Sequence, residues 1–254
     1  MRALLVYEHE KPDGLLNMML SCRDVTKAYA DKTVLDGVSI DVEAGQYFGL
    51  VGMNGSGKST LIKAMLDLVS IDSGSISIMD RSHRSVNARE QVVYLPDRFS
   101  PPSHLRCKDF LEYMLQLHGR RYDDDEVMTM LESLDLRRDV MLMSVGKLSK
   151  GMTQKLGLAS CLLSGKKFMV LDEPMSGLDP KSRVLFKRCL SEQKDKGMTL
   201  FFSSHVLADV EEMSDTMAVL HRSKIIYTGT TQSFVDQHTG DNLEHAYMNS
   251  IAEA

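Results

Sequence analysis

Cysteine is scarce in this chain, four in 254 residues, and no two stand as a C-x-x-C pair. Cys22, Cys107, Cys161 and Cys189 offer neither a disulfide framework nor a zinc-site spacing, so a reduced cytosolic compartment fits best. Long apolar runs are lacking as well: none approaches the ~18 residues needed to cross a bilayer. Near the start, Glu8, His9, Glu10, Lys11, Pro12 and Asp13 interrupt the apolar residues, unlike a signal peptide. If the protein works at a membrane, another chain must supply the membrane part. Nor is there an excess of basic charge. The net charge of −5 gives no electrostatic case for a nucleic-acid partner. Internal repeats and low-complexity tracts are absent too. What remains is ordinary for a soluble globular protein, 43% hydrophobic and 26% charged, long enough for one large domain or two small ones. The 18 methionines, Met128, Met130, Met141 and Met143 among them, read as adaptable core filling rather than metal-handling thioethers.

The order of apolar segments predicts an α/β architecture. Short strand-like runs fall around Leu20 to Val25, Val34 to Val42 and Gln46 to Val51, and again at Ile76 to Met79 and Gln91 to Leu95. Helical spacing then takes over from Lys108 to His118 and from Asp124 to Leu136, a mostly helical insert at about 100–150. Lys155 to Leu163 predicts a further helix. Phe168 to Leu171 and Thr199 to Phe202 are continuous apolar runs of the kind a parallel sheet buries on both faces. Helices predicted over Ser182 to Cys189 and Val206 to Met213 complete the alternation. Met217 to Leu220 and Ile225 to Tyr227 predict a closing hairpin. The division expected is an extension over 1–17, a main α/β domain over 18–235 and a polar tail over 236–254.

Two motifs carry chemistry. Gly52-Met53-Asn54-Gly55-Ser56-Gly57-Lys58-Ser59-Thr60 satisfies G-x-x-x-x-G-K-[ST] between a strand-like run and a helix predicted over Thr60 to Val69. In such a loop the glycines let N–H groups point inward, and the helix N-terminus adds positive potential for phosphate oxygens. Lys58 would reach the β- and γ-phosphates and the Ser59 hydroxyl would ligate Mg²⁺. The second motif is the apolar run ending in Asp172-Glu173-Pro174. Asp172, at the strand tip, could hold Mg²⁺ through water, and Glu173 would orient or deprotonate an attacking water.

With these in place the chain, from Leu20 to about Phe234, resembles the ATP-binding subunits of ABC transporters. Leu148-Ser149-Lys150-Gly151-Met152 is similar to the family signature, Ser176-Gly177-Leu178-Asp179 to its D-loop, and Ser203-Ser204-His205 to its switch. Tyr29 matches the aromatic that stacks on adenine. The resemblance implies an ABC ATPase fold: a P-loop core with a mostly parallel sheet, an antiparallel β subdomain and a helical insert. It implies ATP and Mg²⁺ as ligands and a head-to-tail dimer, in which Ser149 and Gly151 of one copy close over the γ-phosphate held by the other. His205 would then contact the γ-phosphate and help hold the attacking water. Two departures stand out. Asp97 occupies the place where the family has Gln, keeping an oxygen ligand for the metal but altering its geometry and charge. Lys150 and Met152 replace the commoner Gly and Gln, a style similar to ATPase subunits of efflux systems.

The function so implied is an ATPase driving a transporter, with export as the expected direction, separate permease subunits and a position on the cytoplasmic face of the membrane. Two alternatives fit the sequence less well. A soluble ATPase of this type acting on ribosomes would carry two cassettes in one chain. One acting on DNA would insert long coiled coils, whereas the roughly 90 residues between P-loop and signature lack sustained heptads. An ATP-dependent regulatory subunit would need a damaged catalytic carboxylate, and Glu173 is intact.

Overall fold

The structure is a computed structural model, and it describes residues 17–253. The extension expected over 1–17 therefore lies, apart from Asn17, outside the described residues. The elements run β1 (Met18–Tyr29), β2 (Lys32–Glu43), β3 (Tyr47–Val51), α1 (Lys58–Met65), β4 (Ser73–Ile78), β5 (Arg81–Ser82), α2 (Val86–Arg89) and β6 (Val92–Leu95). There follow α3 (Cys107–Leu117), α4 (Asp124–Ser133), α5 (Lys150–Leu163), β7 (Phe168–Asp172), α6 (Pro180–Lys194), β8 (Thr199–Ser204) and α7 (Leu207–Met213). The chain closes with β9 (Thr216–His221), β10 (Lys224–Gly229), α8 (Thr231–Gln237) and α9 (Leu243–Glu253).

Two sheets form. The larger has the order β10-β9-β3-β8-β7-β6, parallel throughout except for the β9–β10 hairpin. The smaller, β2-β1-β4-β5, is antiparallel. Alternation along the central strands explains why their sequences are apolar without a break. Phe48, Leu50, Phe168, Val170 and Phe201 face one core, shared with α1 and the antiparallel sheet. Tyr47, Val51, Met169, Leu171, Leu200 and Phe202 face a second core beneath α3 to α7. A strand buried on both faces admits a polar residue only where a partner satisfies it, as Asp172 and Ser203 satisfy each other near the strand ends. The fold is thus the α/β P-loop arrangement with an antiparallel subdomain and a helical insert.

Several boundaries moved for physical reasons. The helix after the P-loop ends at Met65, not Val69, because Asp67 takes a left-handed conformation (φ 58°) and the Leu68 N–H turns back to the Lys63 carbonyl. α5 starts at Lys150, since Ser149 caps it by accepting from the Met152 N–H at 3.2 Å. The stretch read as a polar tail holds α9, whose Leu243, Ala246 and Tyr247 join the larger core. Met128 and Met141 are buried in the larger core, with Met130 and Met143 partly buried and packed against that core, as core filling requires. All four cysteines are free and buried, and burial pushes the Cys22 and Cys161 thiols up to about 12. They are inert packing groups at neutral pH.

Candidate active site

The carboxyl ends of β3, β6, β7 and β8 lie side by side, and parallel sheets present ligands there. The P-loop leaves β3 and enters α1 at Gly57, whose φ of 117° no side-chain-bearing residue adopts readily. A Cβ on Gly57 would also sit 2.6 Å from the Val34 carbonyl of β2, so the loop is pressed against the antiparallel sheet. At Gly52 a Cβ would meet both the Leu220 carbonyl and the Ser56 hydroxyl at 2.5 Å. The first turn of α1 carries no acidic residue and no side-chain cap. Its leading N–H groups are therefore left for an anion. A cleft of about 230 Å³ opens there, lined by Val34, Asn54, Gly55, Gly57, Lys58, Ser59, Thr60, Asp97 and Glu173.

Lys58 is only 6% exposed, and its ammonium donates to the Gly52 carbonyl at 2.6 Å while standing 3.3 Å from Glu173. Glu173 also meets His205 Nδ1 at 2.7 Å. Its backbone is left-handed (φ 49°), a conformation costing a non-glycine residue of order 1–3 kcal/mol and typical of functional turns. Two side chains hold that turn. Ser203 Oγ accepts from the Glu173 N–H at 2.9 Å and donates to Asp172 Oδ1 at 2.6 Å. Gln154, buried in α5, donates to the Pro174 carbonyl at 3.1 Å. Neither was singled out as a site residue from the sequence. Ser203 had a signal, since it opens the Ser203-Ser204-His205 stretch at the end of an apolar strand.

Asp172 is almost wholly buried behind Glu173. Burial first, then the nearby charges of Asp172 and Asp97, pushes the Tyr94 phenol well above its usual range. Ser59, Asp97 and Asp172 are all hard oxygen donors. Among the described residues, no group of three or more His, Cys, Asp or Glu side chains is preformed for a metal. Oxygen donors of this kind suit Mg²⁺, which keeps several waters and leans on substrate phosphates.

The remaining expected residues gather elsewhere. Ser149 and Gly151 begin α5, and a Cβ on Gly151 would stand 3.5 Å from the Gly177 carbonyl. Asp179 caps α6 by accepting from the Ser182 N–H at 3.0 Å. The Ser182 hydroxyl and N–H hold its carboxyl below the usual range, so it stays ionised. This second cluster contributes nothing to the lining of the P-loop cleft. Tyr29 stands at the tip of the β1–β2 hairpin, 47% exposed, with the Lys27 ammonium 5.4 Å from its ring centre.

Known proteins can now be set beside this geometry. The family model described as ABC transporter matches residues 35–176, more than half of the chain. The chain belongs to the ABC transporter ATP-binding family. It is 35% identical over 213 residues to the uncharacterized ABC transporter ATP-binding protein YhaQ of Bacillus subtilis, covering 83% of this chain and 71% of that one. It is 32% identical to the Nod factor export ATP-binding protein I of Bradyrhizobium diazoefficiens, over 92% of this chain and 78% of that one. Among solved structures, an ATP-binding subunit of an ABC transporter superposes with a TM-score of 0.81 at 28% identity, covering 91% of this chain and 99% of the other. Members of this family bind ATP, and family membership implies ATPase activity. Among the described residues, no helix is long and apolar enough to cross a membrane.

Proposed function

We propose that this subunit hydrolyses ATP with Mg²⁺ in a head-to-tail dimer and so powers an exporter whose membrane-spanning subunits are separate chains. The observation that carries the reading is the division of the motifs into two clusters. Lys58, Asp97 and Glu173 line one cleft, with His205 tied to it through Glu173 and Asp172 through Ser203, while Ser149, Gly151 and Asp179 form a second anion-ready turn outside its lining. A second copy, turned head to tail, would lay its Ser149 turn over the phosphate held by Lys58. Within the cleft, Ser59 and Asp97, with Asp172 behind, would hold Mg²⁺, which neutralises charge on the transferring phosphoryl group. Glu173 would take the proton of the attacking water, and His205 would hold Glu173 and the γ-phosphate in register.

Export is supported by the name of the Nod factor relative and by Lys150 and Met152 in the signature. The helical insert is the surface offered to the membrane partner. Tyr113 and Leu117, one turn apart on α3, are 53% and 61% exposed. Beside Leu117 lies a cleft of about 420 Å³ lined also by Arg89, Glu90, His118 and Lys166. The subunit would sit on the inner face of the membrane through that contact alone. Its net charge of −5 leaves nucleic acid without a footing.

The shared site is tested by dilution. ATP turnover per chain should rise with chain concentration and level off once dimers saturate, as mass action requires. A specific activity constant across the dilution series, with sedimentation showing monomers throughout, rejects the dimer. The adenine contact is tested separately. Tyr29→Ala should raise KM for ATP by about threefold to tenfold, on the scale of a lost aromatic stacking contact of about 0.5–1.5 kcal/mol, while Tyr29→Phe should not. Equal effects of both changes would argue against stacking.

A further inference from the structure

Asp209 has no part in the site described so far, yet its side chain is only 5% exposed. An ionised carboxylate is costly to bury unless it is paired. Both of its partners come from α6: Lys187 Nζ at 2.9 Å and Arg183 at 3.7 Å. Lys187 also reaches Glu212, a turn further along α7. The places of these residues in the chain are what matter. Arg183 stands one helical turn after Asp179, and its N–H donates to the Asp179 carbonyl at 3.0 Å. Asp209 stands one turn after His205. The pair therefore joins the first turns of two helices, one growing out of the Asp179 loop and the other out of the His205 turn.

The space between them is nearly filled. A cavity of about 20 Å³, room for about one water, is bounded by Glu173, Ser176, Arg183, Ser204, His205 and Asp209 among others. The His205 turn is also stiff, since Ser204 Oγ accepts from the Val206 N–H at 3.0 Å. The backbone of His205 goes where α7 goes. We propose that Asp209, clamped by Arg183 and Lys187, is a positioning residue for His205, fixing α7 against α6 so that the imidazole stays on Glu173 and moves with the Asp179 loop. This rests on the ATPase reading above. When a second copy engages that loop, α6 carries the displacement through Arg183 and Asp209 to His205, as a rigid element transmits motion between two sites.

Asp209→Asn and Arg183→Gln, in the full chain, test it through ATP turnover and calorimetric ATP binding. Each change should lower kcat by about tenfold while KM and the ATP Kd stay within about twofold, the pattern of lost transition-state positioning. The double variant should fall no further than Asp209→Asn alone, because that change already removes the bridge to Arg183. Arg183→Lys, which keeps the charge, should recover most of the rate. An unchanged kcat, single effects that multiply in the double variant, or an Arg183→Lys as slow as Arg183→Gln would each overturn the role. A rise in KM matching the fall in kcat would do so too. Should Asp209→Asn fail to fold, the two Arg183 variants decide alone, since Arg183 is 35% exposed and its loss is tolerable. Glu173→Gln is the control. A parent chain without ATP turnover overturns the ATPase reading, and turnover that survives Glu173→Gln overturns Glu173 as its base, whereas turnover lost there but normal in Asp209→Asn and Arg183→Gln overturns only the positioning role.

Discussion

Glu173→Gln should stop ATP turnover while leaving ATP bound. Glutamine keeps the shape that meets His205 at 2.7 Å but cannot accept the proton of an attacking water. Loss of a general base costs about 10²–10⁴ in rate, and kcat should fall by that range. The same change acts on binding with the opposite sign. Glu173 stands 3.3 Å from the Lys58 ammonium and shares the cleft where phosphate would enter. A unit pair ~4 Å apart at an effective dielectric near 20 interacts by about 4 kcal/mol, so removing the carboxylate frees the cation and removes repulsion toward an anion. ATP affinity should hold or rise, and ATP-dependent dimers should accumulate in sedimentation. The fold should barely notice, because Lys58 keeps the Gly52 carbonyl at 2.6 Å as an acceptor. Near-normal phosphate release from the variant would reject Glu173 as the base.

The readability of this chain follows from where its residues are buried. β3, β7 and β8 were visible because strands covered on both faces leave unbroken apolar runs. β5 and α2, with two and four residues, are too short to express any period. The first turn of α5 offers a single apolar residue, Met152, so sustained hydrophobic spacing shows only from Lys155 onward although the Ser149 cap marks the true start. α9 had its own marks: Asn242 Oδ1 accepts from the His245 N–H at 2.9 Å, and Leu243, Ala246 and Tyr247 follow at helical spacing. A polar surround masked them. In the site, Lys58, Asp172, Glu173 and His205 were legible because each belongs to a contiguous motif. Ser203, Gln154 and Asp209 act through contacts with residues 30, 20 and 22 or more positions away, and no local pattern records such partners.

Lys58→Ala carries the second large effect, on binding rather than chemistry. A lysine ammonium buried to 6% exposure persists only because oxygens surround it, here the Gly52 and Met53 carbonyls and the Glu173 carboxylate. Phosphate oxygens would offer the same cation stronger, charge-assisted partners. Hydrogen bonds to charged groups are worth about 1.5–3 kcal/mol, so the ATP Kd should rise by about 10–150-fold. Part of the site would remain, since the N–H groups of the first turn of α1 do not depend on the side chain. ATP binding to the variant should therefore weaken without vanishing, and it should lose less affinity than the parent as salt is raised. Alanine also strips the Gly52 carbonyl of its donor and Glu173 of a counter-charge, so some loss of Tm is expected. Calorimetry at a temperature where circular dichroism shows the variant folded separates the two effects. An unchanged Kd under those conditions contradicts the phosphate role of Lys58, and with it the reading of the cleft as an ATP site.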